Sequence, residues 1–370
     1  MSILVLTARD WLHPQAGGSG LNLGEQVEWW SRWGVETQVI SGAFPESKAR
    51  LEDRGASIHR IASDKTVPIA AGAAGILGRM PSSDVILEVV SGAFFLSSVW
   101  ARNRPRAVWL HHVHQDQYLR EFGLAGKPAA FLGEKAPLRF LYRHQPFIVP
   151  SAGVRRDLAR LGIDPRSVTV CHNGADHIEV PATPDASPSE QPTLVYVGRL
   201  RRYKRVDLLL TVIAEIPDAR LLIAGRGEEE GALRDLADDL GIANRVSFLG
   251  FVSDEERAIL LQRAWINVTA SSAEGWGLTV IEAARYGTPS VAIAVGGLTE
   301  AIIDNETGLL AQSSKELTGQ VRMLLDDAQL RERLGDAAKS RADRFTWEQT
   351  ARTTIAILQQ AITGARPRGR

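Results

Sequence analysis

Short, almost wholly apolar runs punctuate the chain, and stretches with apolar side chains three or four residues apart lie between them. The first run is Ile3-Leu4-Val5-Leu6. A glycine-rich loop follows, and then Leu23, Val27 and Trp30, spaced i, i+4, i+7 as on one face of a helix. Runs of the same kind cover residues 35–40, 84–90, 107–114, 147–149 and 168–170, with a weaker one at 58–61. Ser151 stands as a cap ahead of Val154 and Leu158. A strand buried on both faces of a parallel sheet reads as a continuous apolar run of this sort. The alternation restarts at 194–197 and continues through 220–224, 246–251, 264–268 and 290–294. Val206, Leu209 and Leu210 begin the helix after the first of these. From Ser314 onward the spacing is helical. Thr346 and Gln349 form a capping-box pattern ahead of a last helix, one face of which carries Ile355, Leu358 and Ile362.

Between the two series lies EVPATPDASPSEQPT, residues 179–193, with four prolines and no periodicity. That is linker composition. The pattern predicts an α/β protein of two doubly wound, Rossmann-like domains facing a cleft. The expected division is an N-terminal, acceptor-side domain over 1–175, a linker over 176–192, a second domain over 193–345, and a final helix with a basic tail over 346–370.

Composition narrows the function. A chain of 370 residues has room for two domains of ordinary size. Lys+Arg and Asp+Glu both number 43, so bulk charge gives no reason to expect nucleic acid as a partner. One cysteine, Cys171, precludes an internal disulfide and fits a cytoplasmic protein. The opening MSILVLTARDWL lacks the regions of a signal peptide and reads as a strand. The longest apolar run, 69–77, is too short and too glycine-rich to span a bilayer, so any membrane contact is peripheral, at the inner membrane face. Residues 117–143 mix aromatics and leucine with Arg120, Lys127, Lys135, Arg139 and Arg143, and Arg102, Arg104 and Arg106 sit just upstream. Such a stretch either forms a solvated helix face or lies on an anionic membrane.

Candidate chemistry gathers at loops that follow the apolar runs. The segment AEGWGLTVIEAARYG, residues 273–287, holds Glu274, a Gly-x-Gly turn and then an apolar helix containing Glu282. Backbone N–H groups at such a helix start favour an anion, most often a phosphate. On a helix eight residues amount to about 12 Å of rise and about 80° of rotation, so with Glu274 in the turn and Glu282 in the second helical turn the acids would bracket that site from two sides; the alternative is a pair of solvated or capping glutamates. Five cations, Arg199, Arg201, Arg202, Lys204 and Arg205, fall within seven residues at a strand-to-helix turn and suit a diphosphate. Gly17 and Gly18 allow a close approach of backbone to ligand. Three histidines, His111, His112 and His114, close the run 107–114. Strand alternation puts His112 and His114 on one face, and the lack of a nearby cysteine argues against zinc. Glu88, within DVILEVV, is either a strand-end or edge residue or an acceptor contact.

The segment from Glu274 through GTPSVAIAVGGLTEAI resembles the donor-site signature of the retaining glycosyltransferases of family 4 (glycosyl transferases group 1), which have the GT-B fold. The resemblance implies that Glu274 holds hydroxyls of the donor sugar. It implies that the amides of Gly277, Leu278 and Thr279 hold the diphosphate, and that Glu282 holds the ribose. Arg199 and Lys204 match the family's diphosphate pair, although Arg205 stands where a glycine often follows. By the same resemblance Gly17 and Gly18 lie against the donor phosphate and reacting sugar, and Phe251 and Val252 meet the nucleobase. His111 is the best match for a histidine near the reacting carbon, with His114 second and an acceptor-side candidate like Glu88. The last helix is expected to cross back onto the first domain.

The function implied is transfer of a hexose, with retention, from a nucleoside-diphosphate sugar to a glycan, lipid-linked or small-molecule acceptor. No D-x-D occurs in the chain, so the expectation is a reaction without metal or other cofactor, with no metal site. GDP-mannose and UDP-sugars are both open as donors. The alternatives are a nucleotide-sugar epimerase or hydrolase and a non-catalytic nucleotide-sugar sensor of the same fold. An NAD-dependent oxidoreductase is disfavoured by the missing G-x-G-x-x-G.

Overall fold

The computed structural model describes residues 1–113, 131–176, 178–179 and 189–365. It divides into two units: Met1–Asn173 with Trp347–Arg370, and Gly174–Thr346.

The first unit is built on a sheet of strands β1 (Ser2–Thr7), β2 (Glu36–Ala43), β3 (Arg50–Asp53), β4 (Ala56–Ser63), β5 (Val85–Val90), β6 (Arg106–Leu110), β7 (Phe147–Val149) and β8 (Val168–Val170). Their order is β3-β4-β2-β1-β5-β6-β7-β8. All pairings are parallel except the β3–β4 hairpin. Both faces of the central strands are covered, which is why they read as unbroken apolar runs. Ile3 and Val5 of β1 pack into one layer with Val27 and Trp30 of the helix Gly17–Arg32. Leu4 and Leu6 pack into the other, with Val67, Ala71 and Phe95. The edge strand β3 was not expected. Its sequence, RLED, has no apolar run, and it is held by pairing with β4 across a turn in which Arg54 and Gly55 both have positive φ.

The helix Trp347–Ala365 belongs to this first unit, as the crossing-back expectation requires. Ala351, Ile357 and Leu358 join the layer around Val27 and Trp30, with Ile355 and Ile362 packed against it. Burying a leucine such as Leu358 contributes about 1.5–3 kcal/mol. Polar contacts set the register: Trp30 Nε1 donates to the Ala351 carbonyl at 3.2 Å, and Thr354 Oγ1 donates to Gln26 Oε1 at 2.6 Å.

The second unit has six parallel strands, β9 (Thr193–Val197), β10 (Arg220–Ala224), β11 (Val246–Gly250), β12 (Ile266–Thr269), β13 (Ser290–Ile293) and β14 (Gly308–Ala311). Their order is β11-β10-β9-β12-β13-β14. The chain runs outward from β9 to β11 and then crosses back to lay β12 on the other side of β9. That reversal between β9 and β12 is a topological switch point, and ligands of open α/β sheets bind outside the carboxyl ends of the strands at such a point.

Candidate active site

The loops leaving β9 and β12 carry the residues singled out in the sequence. After β9 the chain passes Gly198 and Arg199 and makes a 3-10 turn, Arg202–Lys204, before the helix Val206–Glu215. After β12 it passes Ser271 and Glu274 and enters the helix Leu278–Arg285 at Gly277. The two loops are tied together. The Ser272 amide and hydroxyl both donate to the Tyr203 carbonyl, at 2.8 and 3.1 Å. Lys204 Nζ lies 2.5 Å from Glu274 Oε2, with both side chains largely buried. Burial alone would depress the Lys204 ammonium. The Glu274 carboxylate, with the Tyr203 and Tyr196 hydroxyls, outweighs it and holds the ammonium above its ordinary value. Tyr196, whose hydroxyl donates to the Arg199 carbonyl at 3.0 Å, feels the charges of Lys204, Glu274 and Arg199 together. Burial raises the phenol, so Tyr196 is neutral.

Glycine is needed where these loops crowd. Gly277 caps its helix at φ 97°, a left-handed conformation that suits a residue without Cβ. Behind it, the Gly297 amide donates to the Glu274 carbonyl at 2.8 Å, and a side chain at Gly296 would collide with that same carbonyl. The first intrahelical bond is made by the Val280 amide to the Gly277 carbonyl, at 3.0 Å. The amides of Leu278 and Thr279 precede it, at the positive end of the helix dipole. Arg205, where the family often has glycine, itself adopts φ 52° and pairs with Asp207 at 3.0 Å.

Glu282 sits inside the helix, buried, with Oε1 3.4 Å from Arg257 Nη2. Burial raises its carboxyl above the ordinary range, Arg257 opposes that, and Asp254 reinforces it. Arg257, on the helix Asp254–Arg263, was not singled out in the sequence, because one arginine in a polar helix carries no signal. Phe251 follows β11 and is 76% exposed, with Val252 half-buried beside it. The Gly250 carbonyl accepts from the Gly225 amide at 2.7 Å, which brings the ends of β10 and β11 together.

In the first unit Gly17 and Gly18 are the first two residues of the helix Gly17–Arg32. The loop before them is anchored by Asp10, another residue that sequence reasoning missed. Its buried carboxylate accepts from Ser41 Oγ at 2.7 Å, from Arg60 Nε and Nη2 at 2.9 Å each, and from the Leu12 amide at 3.0 Å. Burial pushes the Asp10 carboxyl up, but Arg60 and Ser41 outweigh it and hold it below its usual value.

Several expectations are corrected here. Strand β6 stops at Leu110, so strand alternation does not govern the histidines. His111 is buried just past the strand end, its ring 5.8 Å from that of Trp109, and His112 is half-buried. His114 lies outside the described residues, as do residues 117–130 of the basic stretch. Glu88 is neither an edge residue nor placed to touch an acceptor. It is fully buried in the central strand β5 and accepts from the Phe95 amide and Ser97 Oγ at 2.6 Å each, and from Tyr142 Oη at 2.9 Å. Burial pushes its carboxyl up against those hydrogen bonds. Arg104 and Arg106 do not face outward as a basic surface. Arg104 donates to the carbonyls of Pro81 and Ser83, and the buried Arg106 donates to those of Ser97 and Ala101.

Two doubly wound α/β units, with cations, a carboxylate and a helix start at the switch point of the second, are the architecture of a GT-B protein. Residues 17–174 match the family model described as Glycosyl transferase 4-like domain, and residues 183–341 match that described as Glycosyl transferases group 1. The chain belongs to this family, whose class uses nucleotide-sugar donors. It is 30% identical over 81% of its length to a D-inositol 3-phosphate glycosyltransferase of Mycobacterium bovis (strain BCG / Pasteur 1173P2), covering 67% of that protein. Its fold is similar to that of sucrose-phosphate synthase from Thermosynechococcus elongatus, with a TM-score of 0.84, 22% identity, and coverage of 98% of this chain and 100% of the other. It is also similar to Anabaena HepE in complex with UDP-glucose, with a TM-score of 0.76, 20% identity, and coverage of 98% and 99%.

Proposed function

We propose that this glycosyltransferase moves a hexose from a nucleoside-diphosphate sugar to a hydroxyl of a glycan, lipid-linked or small-molecule acceptor, with retention and without a metal ion. The observation that carries the reading is the Lys204–Glu274 pair beside the start of the helix Leu278–Arg285. As the bond between the anomeric carbon and the diphosphate oxygen breaks, its electron pair leaves with that oxygen, while the acceptor oxygen bonds to the anomeric carbon on the same face and its proton passes to the departing diphosphate. Lys204, Arg199 and the amides of Gly277, Leu278 and Thr279 meet the developing charge, the work a divalent cation does in metal-dependent transferases. Glu274, held by Lys204, accepts from hydroxyls of the donor sugar. Glu282 accepts from the ribose, and the backbone at Phe251 and Val252 meets the base. The roles of Gly17, Gly18 and His111 around the reacting sugar rest on the family resemblance.

The inositol-phosphate relative favours a phosphorylated polyol as a first acceptor to test, and the HepE complex favours UDP-glucose as a first donor. The single cysteine, buried at Cys171, supports a cytoplasmic location. Peripheral membrane contact through the first unit is part of the same proposal.

The deciding experiment incubates the protein with labelled UDP-hexoses or GDP-mannose, with and without acceptor, in the presence of a chelator. Release of nucleoside diphosphate that requires acceptor and survives chelation supports the reading. Free sugar without acceptor identifies a hydrolase, binding without release identifies a sensor, and loss of activity on chelation overturns the metal-independent part.

A further inference from the structure

No helix among the described residues is long and apolar enough to cross a membrane, yet several large apolar side chains of the first unit are exposed to water. Ile69 is 76% exposed, Ile76 74% and Leu77 63%, all on or just past the helix Val67–Ile76. Val99 is exposed on the short helix Ser97–Trp100, as are Phe140 (67%) and Leu141 on the π-helical segment Pro137–Tyr142. Single exposed apolar residues need no explanation, but a cluster does.

These three segments are fastened to one another. The backbone of Gly75 lies so close to the Trp100 ring that a side chain there would collide with it. Trp100 Nε1 donates to the Phe95 carbonyl at 3.0 Å. The Phe94 and Tyr142 rings lie 4.7 Å apart. Beneath them the buried Glu88 accepts from both Ser97 and Tyr142, and so staples the second segment to the third.

Charge decides what such a face fits. Residues 65–83, 96–106 and 131–145 contain one acid, Glu134, and it is buried. Arg79, Arg102, Arg139 and Arg143 of the same segments are exposed. Arg139 and Phe140 stand side by side, the guanidinium 6.0 Å from the ring centroid. Exposed apolar side chains and cations, with no exposed acid within these three segments, match an anionic bilayer surface, where the chains enter the headgroup boundary and the cations meet lipid phosphates.

We propose that this face, formed by the segments around Ile76, Val99 and Phe140, docks the protein peripherally on an anionic lipid membrane. The inference rests on the membrane contact of the function proposed above and gives it a surface. It is independent of the donor assignments, which are scored by nucleotide affinity in lipid-free buffer.

The test is co-sedimentation of the full chain with vesicles of phosphatidylcholine alone and of phosphatidylcholine mixed with phosphatidylglycerol. Partition onto the mixed vesicles is expected, falling as salt is raised. Neutralising Arg102, Arg139 and Arg143 to Gln should lower it about fivefold for each cation removed. Phe140→Ser should weaken it further, whereas Arg220→Glu, at an exposed position of the second unit, should leave it unchanged. Equal partition onto the two kinds of vesicle, or a triple variant that sediments like the parent, overturns the proposal. So does lipid-free self-association that Phe140→Ser abolishes, which assigns the face to a second copy of the chain.

Discussion

Arg257 Nη2 stands 3.4 Å from Glu282 Oε1, and this guanidinium is the counter-charge to a carboxylate that burial alone would tend to neutralise. The groups acting on Glu282 are Arg257 and Asp254 of the neighbouring helix and, through its own coupling, Tyr286. An ionised carboxylate only accepts hydrogen bonds, as a ribose diol requires, whereas the protonated acid also donates.

Replacing Arg257 with Met should therefore raise the Glu282 carboxyl further. Nucleoside diphosphate affinity should fall at mildly acid pH and recover as pH rises and Glu282 ionises. Arg257→Lys should restore much of the loss. Titration calorimetry across pH checks this, with Glu282→Ala as the reference. A loss with no pH dependence would mean that Arg257 acts on the ligand directly. Unchanged affinity in Glu282→Ala would remove the ribose role itself.

Lys204→Ala should weaken the intact donor by about 1.5–3 kcal/mol, the worth of a hydrogen bond to a charged group. It also leaves the part-buried Glu274 without its partner, so the same variant, and Lys204→Met with it, should be less stable. Binding titrations with nucleotide-sugar and with nucleotide alone separate the diphosphate contact from the sugar contact. Equal affinity in parent and variant would contradict the diphosphate assignment.

Arg205 holds a left-handed backbone at φ 52°, and its ion pair with Asp207 is exposed. Left-handed backbone costs a non-glycine residue about 1–2 kcal/mol, while an exposed pair returns little. Arg205→Gly should leave stability unchanged or raise it by about 1 kcal/mol, and Arg205→Val should lower it. Denaturant midpoints measured side by side decide the matter.

Glu88→Ala removes the acceptor for Phe95, Ser97 and Tyr142, all in the buried interior, and should destabilise by about 2–4 kcal/mol. The sign with pH is the reverse of an ordinary ion-paired acid. Because the folded Glu88 carboxyl is raised above its ordinary 4.5, the native state binds its proton more tightly. Its contribution to stability is greatest at or below that value and declines as pH rises through the raised range. Glu88→Gln should flatten this slope in pH-dependent unfolding.

Much of the architecture was legible because parallel strands buried on both faces must be unbroken apolar runs. Ile3-Leu4-Val5-Leu6 and Phe147-Ile148-Val149 could be little else. The strand after Ala107 was overextended because nothing local marks where β6 loses its partner, and β3 went unseen because an edge strand can be polar.

The sequence by itself determined the two α/β series, the last helix and the residue types of the candidate site, since those follow from periodicity and turn chemistry within a few residues. Only the tertiary structure decided which charges meet. Lys204 and Glu274 are 70 residues apart in the chain, and Asp10 and Arg60 are 50 apart. Glu88 reads like any acid near a strand end until Phe95, Ser97 and Tyr142 close over it. Such pairings depend on how elements pack, and packing is set by the whole buried surface rather than by the neighbours of any one residue.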